Sequence, residues 1–353
     1  MPHHRPTAAT ALTAAAAAVA LLLGGCTATS ADAPGPGPGD GFPLTVRNCG
    51  AEVVLQAPPQ RVVLLKSAAV PFLHELGVLD RAVARAGRYP AQYYDEATLA
   101  ELADVPLLTD ATDTSGHLRI SREVVLAQRP DLVLGEAEGL DRATLQASGI
   151  PLLEEPALCG DEEGGAAGFE TVARQLELYG RVFDRPEAAR TAADALRARV
   201  EAVTSSAAGG APRSAAVLYP TVGGGVVYAY GAASTATPQL AAAGLRNVFA
   251  DVGDRVFEVS REELLARDPQ VLVLLHGDGD PRAVQEAVTT LPGADRITAV
   301  REGEVLVQLF NFTEPATPLA VEGLERLAAR FPAVPAPPGT PATGPAPAAG
   351  APS

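Results

Sequence analysis

The sequence predicts an α/β protein of two similar lobes with mainly parallel sheets, joined by one long helix. Short apolar runs alternate with helical stretches along most of the chain, a pattern typical of parallel sheets covered by helices. A central stretch, residues 169–203, shows helical periodicity and no strand pattern. A ten-residue unit occurs once on each side of that stretch. The length of 353 residues also favours two cores over one.

The first half of the chain predicts a hairpin followed by a β/α alternation. Two short runs, 44–47 and 52–56, predict the hairpin, which turns near Cys49. Further strands are expected at 61–65, 82–86, 105–108, 131–135 and 151–153. Helices are expected at 71–79, 95–102, 121–128 and 141–148.

The centre of the chain predicts the connection between the lobes. Helical periodicity begins at Phe169, and Pro186 stands at the start of a second helical run, a position that proline favours. We expect a long helix of about four to five turns. Beyond the break at 205–210, strands are expected at 215–219, 226–230, 248–250, 271–276 and 305–310, with helices at 235–243, 261–267, 282–289 and 317–330.

The repeated unit is the most informative feature of the sequence. Residues 121–130 (SREVVLAQRP) and 260–269 (SREELLARDP) are identical at six of ten positions, and each unit leads into an apolar strand. Each serine is a good helix N-cap, and the acid two residues later lies in the first turn, where the helix dipole favours it. Capping explains the serine and the acid. It does not explain the same unit at matching places, which indicates two similar lobes.

Both ends of the chain read as segments outside the fold. Residues 1–25 combine Arg5 with an apolar run and predict a signal peptide. The run ends in Leu-Gly-Gly-Cys26, which resembles a bacterial lipobox, so we expect Cys26 to carry the lipid anchor (palmitate); cleavage near an incidental cysteine is the alternative. Residues 26–41 predict a Pro/Gly-rich tether, and residues 332–353 a disordered tail. The expected location is the extracytoplasmic face of the cell membrane, held through lipid alone.

Composition narrows the function further. A net charge of -15 argues against nucleic acid as a partner, because phosphates would be repelled. Cys49 and Cys159 remain in the mature chain, and an oxidising compartment favours a disulfide between them, with two free thiols as the alternative.

Three motifs in this order resemble class III solute-binding proteins of ABC importers, the family that binds iron siderophores, cobalamin and haem. They are APPQRVVLLKSAAVPFLHELGVLDRAV (57–83), SREVVLAQRPDLVLG (121–135) and AAGLRNVFADVGDRVFEVSREELLARDPQVLVLL (242–275). The resemblance covers about residues 44–331. It implies an N-terminal lobe at 42–165, a helical connection at 166–205 and a C-terminal lobe at 206–331, with ligand bound in the cleft between the lobes and little hinge motion.

The same resemblance implies the partners. One glutamate on each lobe would dock into arginine pockets on a permease dimer, and the motif match places these at Glu123 and Glu262, with Glu263 as an alternative. Simple first-turn helix acids are the other interpretation. We expect a monomer that carries a small-molecule iron chelate to the permease.

Ligand contacts are expected where the strands end, because open α/β sheets bind ligands at that edge. The candidates are Lys66, Arg88, Tyr89, Tyr219, Tyr228, Tyr230, His276 and Asn311, with Phe310 and Phe312 beside the last and His117 as a weaker choice. Cations with tyrosines suit an anionic, partly aromatic ligand such as a ferric siderophore. Cobalamin and haem are the alternatives, and ordinary packing of each side chain is the other interpretation.

Catalytic signatures are missing from the sequence. It contains no G-x-S-x-G elbow, and Lys66, the only lysine, follows no glycine-rich loop, which rules out a Walker A motif. Histidines have no close ligand spacing, so we expect no directly bound metal and no cofactor, while one tyrosine or histidine could serve as an axial ligand to haem. The Gly/Asp loop at 276–281 predicts a turn in preference to a calcium loop. The expected function is ligand binding without catalysis. A cryptic hydrolase on the two-lobed scaffold, which no motif supports, is the second class of function, and a structural lipoprotein is the third.

Overall fold

A computed structural model describes residues 41–113, 117–156, 159, 168–277 and 279–334. The predicted signal peptide, the lipidation site Cys26, nearly all of the tether and the tail beyond residue 334 lie outside these residues.

The first lobe contains a small parallel sheet with a separate hairpin. The hairpin pairs β1 (Leu44–Asn48) with β2 (Ala51–Leu55) in antiparallel register. The sheet has the order β4-β3-β5-β6, all parallel, with strands β3 (Val62–Leu64), β4 (Ala82–Arg85), β5 (Leu132–Leu134) and β6 (Leu152–Leu153). Its helices are α1 (Val70–Glu75), α2 (Glu96–Ala103), α3 (Arg122–Ala127) and α4 (Arg142–Gln146).

One strand predicted for this lobe is wrong. Residues 105–108 form only an isolated parallel bridge, between Arg85 and Leu107. Pro106 has no N–H to donate, so the run pairs with Arg85 only through the Pro106 carbonyl and the Leu108 amide, and one more backbone bond, from the Gly87 amide to the Thr109 carbonyl, follows it.

The helical connection consists of two packed helices, α5 (Phe169–Val182) and α6 (Pro186–Ala207). They cross closely at Gly180, where a Cβ atom would lie 2.3 Å from that of Ala189. With 22 residues α6 spans about six turns, which is longer than predicted.

Helix α6 joins the two lobes. Near its start it packs in the first-lobe core, where Ala193 and Leu196 are buried. Val200 packs against the cores of both lobes, and Val203 packs against that of the second. The predicted single long inter-lobe helix is therefore α6, and the predicted two-lobed α/β fold is confirmed, with α5 as an added helix on the first lobe.

The second lobe contains a six-stranded mixed sheet. Its order is β10-β8-β7-β11-β12, with β9 also paired to β7, and only the β7–β8 and β8–β10 pairs are antiparallel. The strands are β7 (Arg213–Pro220), β8 (Val227–Tyr230), β9 (Leu245–Asn247), β10 (Val256–Glu258), β11 (Val271–His276) and β12 (Val305–Leu309). The helices are α7 (Ala236–Ala242), α8 (Arg261–Arg267), α9 (Pro281–Thr289), α10 (Thr298–Glu302) and α11 (Pro318–Arg330).

Three details of this lobe differ from the prediction. The strand expected at 248–250 lies three residues earlier, as β9, because the apolar run itself turns inward and buries Phe249. Strand β10 was not predicted, since it is an edge strand that leaves Val256 exposed and shows no apolar run. The short helix α10 was also missed.

The repeated sequence is also a repeated structure. Helices α3 and α8 each begin at a serine whose Oγ accepts the amide three residues on, from Val124 at 3.4 Å and from Glu263 at 3.1 Å. Each unit ends in a left-handed residue before proline, Arg129 (φ 49°) and Asp268 (φ 41°). Each then enters a strand in the interior of its sheet, β5 or β11.

Candidate functional site

A cleft of about 590 Å³ lies between the lobes at the carboxyl ends of the first-lobe strands. Lys66 and Glu136 each lie two residues beyond a pair of registered strand residues, Leu64 and Leu134. From the second lobe comes the turn that follows β12. The described lining residues are Leu65, Lys66, Ser67, Ala68, Gly87, Arg88, Thr112, His117, Leu118, Glu136, Ala137 and Glu138 from the first lobe, and Phe310, Asn311 and Pro315 from the second.

The first-lobe wall of the cleft is charged but balanced. Lys66 Nζ lies 3.2 Å from Glu136 Oε1, so the ammonium already has a carboxylate partner. Arg88 and Glu138 add one charge of each sign to the lining. The two cations and two carboxylates cancel, apart from any charge on His117. The sequence argument for an anionic ligand counted the cations of this lining and left out the two glutamates.

Sequence reasoning missed Glu136 and Glu138 although a signal was present. Glu136 follows the predicted strand 131–135 directly, as Lys66 follows its own strand, and Glu138 comes two residues later. The carboxyl ends of neighbouring parallel strands meet at one edge, so the same rule that selected Lys66 selects Glu136. Only the strand order β3-β5 shows that the two side chains meet.

The second-lobe wall is uncharged, and Asn311 links it to the first lobe. Asn311 is 7% exposed. Its Nδ2 donates to Ser67 Oγ at 3.0 Å, and its backbone N–H donates to the Tyr93 hydroxyl at 3.0 Å. The Tyr93 ring also packs edge-on against Phe312, with ring centroids 5.4 Å apart. Asn311 therefore lines the cleft and also bridges the two lobes.

A buried polar network holds the Asn311 turn from behind. Gln239 Nε2 donates to the carbonyls of Phe312 and Ala320, both at 2.7 Å. Gln239 Oε1 accepts from Thr313 Oγ1 at 3.0 Å. Helix α11 comes so close at Gly323 that a Cβ atom there would lie 1.6 Å from the Phe312 carbonyl oxygen. The turn is thus fixed by helices α7 and α11.

Two predicted ligand tyrosines are turned inward. The Tyr89 hydroxyl lies 3.2 Å from the carbonyl oxygens of both Leu64 and Ala86, and burial raises its pKa well above the usual value. Tyr230 is 3% exposed in the second-lobe core, and burial raises its pKa as well. Neither is among the described lining residues of the cleft.

The other two tyrosines lie together on the second-lobe sheet. Tyr219 and Tyr228 face each other across the antiparallel β7–β8 pair. Tyr219 packs edge-on against the cleft residue Phe310, with ring centroids 6.0 Å apart. Tyr228 is 38% exposed. Tyr219 therefore supports the cleft through Phe310, and neither tyrosine is among its described lining residues.

The two candidate histidines lie in different cavities. His276 is 7% exposed and lines a separate inter-lobe cavity of about 310 Å³ together with Pro90 and Phe312. Desolvation lowers its pKa, so His276 is neutral at physiological pH. His117 lines the main cleft, and its side chain is 72% exposed.

Glu155 is a buried acid that sequence reasoning missed. It lies two residues beyond Leu153 at the end of β6, in the same row of strand ends as Lys66 and Glu136. Burial raises the pKa of Glu155 to about 8, with the charge of Lys66 acting in the opposite direction. The carboxyl is therefore mainly protonated at neutral pH.

The predicted docking glutamates are exposed at matching positions on the two lobes. Their side chains are 73% (Glu123) and 69% (Glu262) exposed in the first turns of α3 and α8. A hydrogen bond from its own backbone amide lowers the pKa of Glu123, and one from Arg261 lowers the pKa of Glu262. Both are therefore ionised at neutral pH. Glu263, the alternative, pairs with Arg267 at 3.1 Å.

Cys49 and Cys159 form a disulfide in the structure, with their Cα atoms 5.0 Å apart. The bond ties the turn of the β1–β2 hairpin to the segment beyond β6. Within the described residues, no group of three or more His, Cys, Asp or Glu side chains is arranged to hold a metal ion. The helices of the described part include none long and apolar enough to span a membrane.

Two α/β lobes, a helix that spans them and a cleft at their strand ends define a solute-binding protein. The model of the periplasmic binding protein family matches residues 62–308, and the chain belongs to that family. Members are extracytoplasmic substrate-binding proteins of ABC transporters, which partner importer permeases, bind small molecules and are not enzymes.

Solved structures agree with this family. A protein of an ABC-type Fe³⁺-hydroxamate transport system from Saccharomonospora viridis is 54% identical, with a TM-score of 0.78, over 83% of this chain and all (100%) of that one. A haem-binding protein from Roseiflexus is 21% identical (TM-score 0.60; 77% and 97% of the two chains). A vitamin B12-binding protein from Vibrio cholerae is 19% identical (TM-score 0.55; 77% and 96%), and these two show the fold alone. Among curated proteins, none matches the chain.

Proposed function

We propose that this protein binds a ferric siderophore of the trihydroxamate class in the inter-lobe cleft and delivers it to an ABC importer. The charge balance of the cleft carries the proposal. Three monoanionic hydroxamates cancel the charge of Fe³⁺, whereas three dianionic catecholates leave a strongly negative complex. A lining whose charges cancel, on a chain of net charge -15, favours the neutral complex and disfavours the anion.

Cleft size and surface support the same ligand class. A volume of about 590 Å³ falls within the usual range of small-molecule sites, roughly 300–1,000 Å³. The Phe310 ring offers an apolar surface to the ligand, while Lys66 and the glutamates offer hydrogen bonds around it. The similar Saccharomonospora protein belongs, by its description, to a Fe³⁺-hydroxamate transport system.

Delivery would use the two exposed glutamates. Glu123 and Glu262 stand at equivalent positions of a repeated unit, one on each lobe, and both are ionised. Two equivalent carboxylates suit a two-fold symmetric permease dimer that presents arginines, through charge-assisted hydrogen bonds.

A lipid anchor at Cys26 would keep the monomer near that permease. The tether of residues 26–41 could reach about 45 Å if fully extended, which leaves room for the folded part to meet the permease. Mass spectrometry of the membrane-extracted protein tests this step. A mature N-terminus other than lipidated Cys26 would contradict it.

Calorimetric titration of the mature protein tests the ligand. The panel is a neutral ferric trihydroxamate, a ferric tris-catecholate, cobalamin and haemin, with free Fe³⁺ as the control. We expect saturable binding of the trihydroxamate at micromolar or tighter affinity and at least about tenfold weaker binding of the tris-catecholate. Binding of only cobalamin or haemin would keep the transport role and overturn the ligand. Failure of every ligand would favour a structural lipoprotein.

Haem is the second candidate because His117 stands on the cleft wall. Its ring is exposed, as an axial ligand requires, with Nδ1 3.6 Å from Asp113 Oδ2. A Soret shift on adding haemin that disappears in His117→Ala would establish this alternative. A haemin response unaffected by His117→Ala would remove the observation that favours it.

A further inference from the structure

The loop at residues 310–315 has one face toward the cleft and one toward the protein interior. Phe310, Asn311 and Pro315 line the cleft. Between Asn311 and Pro315, Glu314 is 0% exposed and belongs to the interior face. Glu314 directly precedes a cleft residue, so a movement of Glu314 moves Pro315 with it.

Glu314 is held by three donors. Its Oε1 accepts the Thr235 amide at 2.7 Å, and the Ala236 amide contributes a further hydrogen bond. Its Oε2 accepts from Arg255 Nη1 at 3.1 Å. Arg255 lies just before β10 and has a side chain that is 31% exposed. It is the cation that neutralises this buried carboxylate.

Few titratable groups face Glu314. Arg255 faces it from the segment before β10, and Tyr230 faces it from β8. The contacts from the start of α7 are backbone amides, which do not titrate. Burial raises the pKa of Glu314, and the charge of Arg255 opposes that rise. Without Arg255 the carboxylate would either take up a proton or move toward water.

We propose that Arg255 is a positioning residue for ligand binding, which pairs with Glu314 to fix the loop that presents Phe310, Asn311 and Pro315 to the cleft. The inference rests on the proposed function, since its measure is the affinity for the ligand. Arg255 is not among the described residues that line the cleft, so it acts through the loop.

Calorimetry of Arg255→Met with a neutral ferric trihydroxamate, at about pH 6 and about pH 9, tests the proposal. We expect affinity about tenfold below wild type at the higher pH, which favours the ionised form of the unpaired Glu314, and a smaller loss at the lower pH, which favours its protonated form. The second change Glu314→Gln should remove this pH dependence and restore most of the affinity at the higher pH. The affinity of the wild-type protein should change little between the two pH values.

Arg213→Met is the matched control. Arg213 pairs with Glu304 at 2.8 Å in the same lobe, has a similarly shielded side chain, and is not among the described lining residues. It should leave both the affinity and its pH dependence unchanged. Wild-type-like binding by Arg255→Met at both pH values would overturn the inference, as would a loss that neither pH nor Glu314→Gln corrects.

Two further outcomes are informative. Should Arg255→Met not fold, Glu314→Gln alone is the test, because its amide turns a donor toward Arg255. An affinity of Glu314→Gln equal to wild type would then overturn the inference, and a loss of about tenfold would support it. Failure of wild type to bind the trihydroxamate would instead count against the proposed function, and the same variants would be measured with whichever of cobalamin or haemin binds.

Discussion

The two lobes share a folding unit but contribute opposite kinds of chemistry to the cleft. Helices α3 and α8 and the strands that follow them repeat nearly the same ten residues, with the same serine cap and the same left-handed turn. The first lobe nevertheless lines the cleft with two cations and two carboxylates, while the second contributes an aromatic ring, an amide and a proline.

This difference shows which parts of a duplicated fold are free to change. The repeated units lie along the chain before their strands and form an exposed surface, whereas the cleft is built from the loops after the strands. Loops after strands can change without disturbing the sheet, so the chemistry of the cleft lining diverges between the lobes while the proposed docking surface stays alike.

The first prediction, and the largest expected effect on function, breaks the likeness of the two lobes at the proposed docking helices. Glu123→Ala with Glu262→Ala should lower the transport rate about a hundredfold, because charge-assisted contacts on both lobes are lost, while ligand affinity stays unchanged. Uptake of radiolabelled iron chelate into cells or proteoliposomes measures the rate. If the lobes are equivalent, the two single changes should lower the transport rate by factors that are similar to each other.

Glu263→Ala is the control for the second lobe. Glu263 lies next to Glu262 but pairs with Arg267, so its loss should leave transport nearly unchanged. A transport defect in Glu263→Ala and none in Glu262→Ala would move the docking residue by one position. Full transport by the double variant would refute docking through these helices.

The second prediction concerns the disulfide between Cys49 and Cys159, a crosslink of the first lobe. Removing the bond with Cys49→Ser and Cys159→Ser opens a loop with a sequence separation of 110 and should lower the free energy of unfolding by about 4–5 kcal/mol through the entropy of the unfolded chain. Urea unfolding followed by circular dichroism measures the loss, and chemical reduction of the wild type should reproduce it. A change below about 1 kcal/mol would mean that packing alone holds the hairpin.

The third prediction uses the buried acid of the first lobe. Because the folded pKa of Glu155 is about 8 against an ordinary 4.5, the folded protein binds more protons than the unfolded chain between these values. The stability contributed by the protonated carboxyl is therefore complete below about pH 4.5 and is lost as pH rises through about 8, by an amount on the order of 3–5 kcal/mol.

Glu155→Gln should abolish this loss, because the amide stays neutral at every pH. The free energy of unfolding of both proteins, measured in urea at intervals from about pH 5 to about pH 9, should diverge as the pH rises, with the variant the more stable at the alkaline end. Parallel curves would show that the Glu155 carboxyl is already ionised, or solvated, in the folded protein.

The smallest effect compares the two cleft walls directly. Asn311→Ala removes the hydrogen bond to Ser67 across the lobes and should weaken binding of a neutral ferric trihydroxamate by about 1 kcal/mol. Lys66→Met removes a half-exposed ion pair and should change that affinity less, by under about 0.5 kcal/mol. Calorimetry measures the affinity of both variants. A larger loss of affinity in Lys66→Met than in Asn311→Ala would show that the ligand is anionic and that the charges of the cleft lining do not cancel.

Local patterns account for most of the fold. Apolar runs, proline positions and serine caps predicted nearly every helix and the hairpin, because these signals act within a few residues of the chain. Apart from the run at 105–108, which Pro106 interrupts, the errors occurred where a tertiary contact decided the outcome. Val256 pairs with Tyr230 as an exposed edge strand, and Phe249 turns into the core instead of extending a strand.

The candidate site was predicted less completely. Lys66, Arg88 and Asn311 do line the cleft with Phe310 and His117, as the strand-end rule indicates. The same rule also selected tyrosines whose hydroxyls turn inward, because it identifies the edge of a sheet and not the direction in which a side chain points.

The sequence by itself determined the two-lobed α/β class, the spanning helix and the repeated unit with its two exposed glutamates, since these depend on short-range periodicity and capping. Only the tertiary structure decided the charge of the cleft and the ion pair that holds its second-lobe loop. Lys66 meets Glu136 across 70 positions of sequence, and Arg255 meets Glu314 across 59, because strand order and loop packing bring their ends together. Charges so far apart in sequence neutralise each other only when a particular register makes them neighbours, and no local pattern encodes that register.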